Sequence, residues 1–171
     1  GVGRVRMELH ANSLAESLSR IYDGKFVPLH APARVSSRNI RDELLKEDSL
    51  LPAIYLTQKL DIAVVGIGYP NEKSAIMATG YCKENEIESL IDRKVAGELC
   101  MQFYDIYGDT APYKDDNNVI GMDISMLRSV PRSIGIAGGV EKLRAVRGAI
   151  NGHYINTLIT DIECAEALIS E

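Results

Sequence analysis

The sequence predicts an α/β fold, a parallel sheet covered by helices, and three observations carry that prediction. Asp61-Ile62-Ala63-Val64-Val65-Gly66-Ile67-Gly68 is almost wholly apolar, rich in β-branched residues and closed by glycines, the pattern of a central parallel strand buried on both faces. From residue 119 onward strand and helix patterns alternate, with strands over 119–122, 133–137 and 154–159 and helices over 124–130, 140–150 and 162–169. Helix punctuation agrees: Asn151-Gly152 closes the penultimate helix, and Thr160-Asp161-Ile162-Glu163 has the capping-box spacing that opens the last one.

The remaining elements follow in order. Leu14, Leu18 and Ile21 fall on one helical stripe, predicting an amphipathic helix over 11–22 that Gly24 stops. Phe26-Val27-Pro28-Leu29 reads as a short strand interrupted by Pro28, followed by an extended loop at His30-Ala31-Pro32. Short helices are expected over 38–46 and 50–59, with Ser49 as cap and Pro52 tolerated in the first turn. After the 61–68 strand a polar segment leads to a helix over 83–93 and a strand over 98–104. The stretch 107–118, with Gly108, Pro112 and Asp115-Asp116-Asn117-Asn118, is a loop. No repeat or linker divides the chain, so one domain is expected. Gly1-Val2-Gly3 more often ends a strand than starts a domain, which leads us to expect a longer native protein at the N-terminus.

Composition narrows the function. A chain of 171 residues with 46% hydrophobic content can bury a substantial core. Net charge is −5 and the pI is near 5.3, with Lys and Arg scattered, so the segment lacks the footprint of a phosphate-backbone binder and is not expected to bind DNA by itself. Cys82, Cys100 and Cys164 are widely spaced with no Cys-x-x-Cys, which argues for reduced thiols in a cytoplasmic protein and against a metal site. No run has the length of a membrane span. No cofactor is implied.

Candidate binding residues gather at strand ends. Gly138-Gly139-Val140-Glu141-Lys142 stands where the 133–137 strand passes into a helix; free backbone N–H groups and the positive helix end suit a phosphate, which would offset the charge of Lys142. The alternative is a tight turn beside a solvated lysine. Gly66 and Gly68 close another strand, and two glycine-bordered strand ends suggest a crevice. Glu98 opens an apolar strand and can orient sugar hydroxyls, or else is an edge glutamate in water. Of His10, His30 and His153, none stands in a recognisable arrangement with a nucleophile, and only His30 is placed near a pocket.

Seven segments in register add a family resemblance. They are Leu29-His30-Ala31-Pro32-Ala33, Arg41-Asp42-Glu43-Leu44-Leu45, the 61–68 strand, Val95-Ala96-Gly97-Glu98-Leu99-Cys100, Val119-Ile120-Gly121-Met122, Ile136-Ala137-Gly138-Gly139-Val140-Glu141-Lys142 and Ile155-Asn156-Thr157-Leu158-Ile159-Thr160-Asp161. Together they closely resemble the sugar-binding effector domain of the SorC family of transcriptional regulators, which includes the deoxyribonucleoside regulator and the central glycolytic gene regulator.

The resemblance implies a three-layer Rossmann-like parallel sheet, as in glucosamine-6-phosphate deaminase, ribose-5-phosphate isomerase and CoA transferase, with a small inserted lobe. It further implies a phosphorylated sugar as effector, a homodimer or homotetramer, and DNA binding only through an N-terminal helix-turn-helix domain missing from this chain. Lys142, Gly138 and Gly139 match the family's Ala-Gly-Gly-x-x-Lys loop, Glu98 matches the acidic residue that contacts hydroxyls, and Gly66 and Gly68 match the pocket floor. Asn118 stands where many relatives carry Arg. An enzyme is not expected; a sugar-phosphate isomerase or deaminase of the same fold is the alternative, and an oligomerisation module with a vestigial pocket is a third reading.

Overall fold

A computed structural model of the chain describes residues 11–71, 74 and 81–170. Gly1-Val2-Gly3 and His10 lie outside the described residues. The contacts divide the chain into two units: one runs to Gln58 and includes Asn118–Gly121, the other comprises Lys59–Asn117 and the residues from Met122 onward.

In the first unit, α1 spans Ala11–Ile21, α2 Arg38–Leu44 and α3 Leu51–Thr57. The apolar stripe of α1 is solvent-facing, with Leu14, Leu18 and Ile21 all more than half exposed. Ser37 caps α2 through its side chain. Pro52 occupies the first turn of α3 as expected, but the cap residue is Leu50 and no side chain caps it, so Ser49 does not play that part. The strand expected at 26–29 does not form: Pro28 has no N–H to offer a ladder, and the segment stays unpaired. Arg34 and Val119 form an isolated bridge, all that remains of the strand expected over 119–122. Arg41 donates from Nε to the Val119 carbonyl at 3.1 Å, and Ala31, Leu50 and Ile120 form this unit's buried cluster.

The second unit holds a five-stranded sheet in the order β3-β2-β1-β4-β5, formed by β1 (Ile62–Gly68), β2 (Gly97–Leu99), β3 (Gln102–Tyr104), β4 (Arg132–Ile136) and β5 (Thr157–Ile159). Strands β1, β4 and β5 are mutually parallel, as the alternating pattern predicts. Strands β2 and β3 run antiparallel to their neighbours, which makes the sheet mixed. The single strand expected over 98–104 is therefore a hairpin. Its turn is made by Cys100 and Met101, at φ 52° and 62°, backbone values usually given to Gly or Asn, so the residue types did not announce it.

Helix α4 (Glu84–Asp92) precedes the hairpin, α5 (Leu143–Asn151) crosses from β4 to β5, and α6 (Ile162–Ile169) follows β5. The helix expected at 124–130 is a 3₁₀ segment, Ile124–Ser129, and the one expected at 140–150 opens with a 3₁₀ turn, Val140–Lys142, before α5 begins. Gly152 caps the C-terminus of α5 as predicted. At the start of α6 the cap is Asp161, whose side chain accepts from the Cys164 N–H at 2.8 Å; the Thr160 hydroxyl, read from the sequence as the capping group, is buried and has no hydrogen-bond partner among the described residues.

The core of this unit packs Ala63 and Ile67 of β1, Leu99, Tyr104 and Ala137 against Ala145, Val146 and Ala149 of α5. Strand β1 is not buried on both faces: Ile62 and Val64 are 55% and 58% exposed, while Ala63 and Ile67 are buried. An apolar run fixes neither the number of covered faces nor what covers them. A smaller cluster joins Ile87 and Leu90 of α4 to Phe103 and Tyr113.

Candidate functional site

Because β1, β4 and β5 are parallel, their carboxyl ends share one edge of the sheet, the edge where open α/β sheets bind ligands. Strand β1 ends there at Gly68. Strand β4 hands over to Ala137-Gly138-Gly139 and the turn carrying Lys142, and β5 hands over to Thr160-Asp161. Antiparallel pairing sets Glu98 of β2 opposite Gly68, which brings this carboxylate to the same edge.

The Glu98 side chain leans over the Gly68 α-carbon, where a β-carbon would collide with Oε1; only glycine leaves room for the carboxylate. The Met101 N–H donates to Glu98 Oε2 at 2.9 Å, so the strained hairpin turn presents a donor to it. Loss of hydration pushes the Glu98 carboxyl up to about 7; the Met101 hydrogen bond and the positive charge of Lys142 act in the opposite direction. Lys142 is half-buried, and its positive charge bears electrostatically on Glu98. The same burial, reinforced by Glu98, pushes the Cys100 thiol up to about 12 and raises Tyr104 above the usual phenol range. Tyr104 is anchored beneath, its hydroxyl donating to the Ala145 carbonyl at 3.0 Å.

The glycine loop differs from its expected form. Gly139 sits at φ 94°, in the region that favours glycine, and its N–H donates to Asp161 Oδ2 at 2.5 Å. Hydrogen bonds from Cys164 and Gly139 hold the Asp161 carboxyl below its ordinary range. Gly66 and Gly68 close β1 as the sequence predicts; Gly66 pairs with Ile136 and has open space around it, so nothing local requires a glycine there.

His30 belongs to the first unit and is exposed. That unit also contains a shallow apolar hollow of about 450 Å³ lined by Leu51, Pro52, Ile54 and Tyr55 with Asp48 and Gln58, and none of the predicted site residues lines it. Sequence reasoning missed Asp161 and Met101. Asp161 carried a usable signal, an N-cap residue type just before an apolar helix, whereas Met101 acts through its backbone and carried none.

Residues 1–170 match the Sugar-bind family model, described as "Putative sugar-binding domain". The chain belongs to this family. Among relatives of this Sugar-bind chain, the sorbitol operon regulator of Klebsiella pneumoniae is 30% identical over 167 residues, which is 98% of this chain and 53% of that protein. The transcriptional regulator LsrR of Escherichia coli is 36% identical over 142 residues, covering 81% of this chain and 45% of the relative. The crystal structure of the full-length sorbitol operon regulator SorC from Klebsiella pneumoniae superposes with a TM-score of 0.85 at 31% identity, over 98% of this chain and 54% of that one. The Sugar-bind chain thus spans about half the length of the curated relatives it matches, and the resemblance to SorC-type sugar-binding domains holds in both sequence and fold.

Proposed function

We propose that this Sugar-bind chain is the effector-sensing part of a cytoplasmic bacterial transcriptional regulator that binds a phosphorylated sugar, acts as a homo-oligomer, and reaches DNA through an N-terminal helix-turn-helix domain outside this sequence. The observation that carries the reading is the Glu98 carboxyl leaning over Gly68 at the carboxyl edge of the parallel strands, with the charge of Lys142 bearing on it. A carboxyl leaning over Gly68 suits sugar hydroxyls, and a lysine beside a glycine loop suits an anionic group. Gly66, Gly68, Gly138 and Gly139 belong to the same proposed site; His30, exposed in the first unit, is a separate candidate. The relatives named above are transcriptional regulators, which supports sensing over catalysis. Effector binding would act by population shift, favouring one arrangement of the oligomer and hence one DNA-binding geometry.

One feature favours a second reading, a sugar-phosphate isomerase or deaminase: a carboxyl pushed up to about 7 is suited to proton transfer near neutral pH. Thermal shift with a panel of sugar mono- and bisphosphates, followed by assay of the same mixtures for product, tests the choice. Stabilisation without turnover is the expected result; turnover would replace the sensor with an enzyme, and no response from any compound would leave an oligomerisation module.

A further inference from the structure

The inference rests on the effector reading above and concerns how the glycine loop is controlled. The sequence suggests that Gly138-Gly139 offers free amide donors to an anion, yet the Gly139 N–H is already engaged by Asp161 Oδ2 at 2.5 Å. The other oxygen of the same carboxylate, Oδ1, accepts from the Cys164 N–H at 2.8 Å and caps α6. Gly138 completes the arrangement, since a β-carbon there would stand 2.8 Å from Asp161 Oδ2. The Glu141 carboxylate folds back against the Gly139 α-carbon, adding a second negative charge at the loop. The loop is thus filled by the protein's own carboxylates, and one of them ties it to the N-terminus of the last helix.

We propose that Asp161 is an internal competitor for the anionic group of the effector: carboxylate and phosphate need the same Gly139 N–H, so a ligand entering the loop must release Asp161 from it. Asp161 is then a positioning residue that sets the affinity of the site and couples its occupancy to α6. An acceptor oxygen carrying a full charge holds a donor more strongly than a neutral one, and a fixed negative charge repels an approaching phosphate. Both effects oppose binding, and both vanish when the carboxylate is neutralised.

The test is calorimetric titration of the full chain, Asp161→Asn and Asp161→Ala with inorganic phosphate and with pentose and hexose mono- and bisphosphates. Asparagine caps a helix about as well as aspartate, so D161N keeps a Tm near that of the parent, whereas D161A loses the cap and melts lower. Competition predicts that both variants bind the phosphate compounds more tightly than the parent, by at least about fivefold, despite their unlike stabilities. A parent too weak to measure beside a variant that binds also supports the competition. If Asp161 only holds the loop in shape, D161N binds like the parent and D161A binds more weakly, and the competition is overturned while the effector reading stands. If neither the parent nor either variant binds any compound, the effector reading fails and the competition fails with it.

Discussion

The carboxylate of Glu98 lies against the α-carbon of Gly68, its partner across the β1–β2 ladder, and occupies the space that any larger residue would need. Gly68→Ala should therefore push the carboxylate out of place rather than unfold the sheet, because the displaced atoms are the end of a flexible side chain. We expect a stability cost of about 1–3 kcal/mol and a larger proportional loss of ligand binding. Denaturant unfolding and calorimetry on the same preparation check the two effects. Binding unchanged from the parent would remove Glu98 from the site.

The ionisation of Glu98 makes stability depend on pH in a definite direction. Its carboxyl is raised from 4.5 in the open chain to about 7 in the fold, so the folded state holds the proton more tightly. The contribution is fully present below pH 4.5 and is lost as pH rises through about 7, where an ionised carboxylate must stay in a poorly hydrated place. The loss is on the order of 3 kcal/mol. Glu98→Gln keeps an acceptor for the Met101 N–H and cannot ionise. Unfolding free energies of parent and variant, measured from pH 4 to 8, should diverge across that window with the variant gaining; parallel curves would show that Glu98 is well hydrated.

Tyr154 packs against Tyr104, with ring centres 5.7 Å apart. Its ring is 1% exposed and its hydroxyl donates to the Gly108 carbonyl at 2.5 Å, while Arg128 stacks 4.8 Å from the ring centre. Tyr154→Phe leaves that carbonyl without its donor and should cost about 1–3 kcal/mol, read as a lower denaturation midpoint, with ligand affinity close to that of the parent. A loss of affinity larger than the loss of stability would tie this tyrosine to the site.

Much of the second unit is legible in the sequence, because β1, β4, α5 and α6 carry both a periodic pattern and a terminal glycine or capping residue. What escapes has a physical cause in each case. The turn at Cys100 and Met101 takes positive φ values without glycine, so one strand was expected where a hairpin forms. The apolar run of β1 gave its extent but not its coverage, because Ile62 and Val64 face outward while Ala63 and Ile67 are buried. Thr160 and Asp161 are both good capping residues, and only the geometry of the helix start selects Asp161. Glu98 and Lys142 lie on elements distant in sequence, so no local period links them; the family resemblance, together with the strand-end logic, pointed to both.

The lysine tests the account most directly. Lys142 is half-buried and its charge bears on Glu98, and truncating it removes the cation proposed to hold the anionic group. Calorimetric titration of a phosphorylated sugar that stabilises the parent should show Lys142→Ala binding at least about tenfold more weakly, since a hydrogen-bonded charge contributes roughly 1.5–3 kcal/mol, with an unfolding midpoint near that of the parent. Equal affinity in the two proteins would contradict the account.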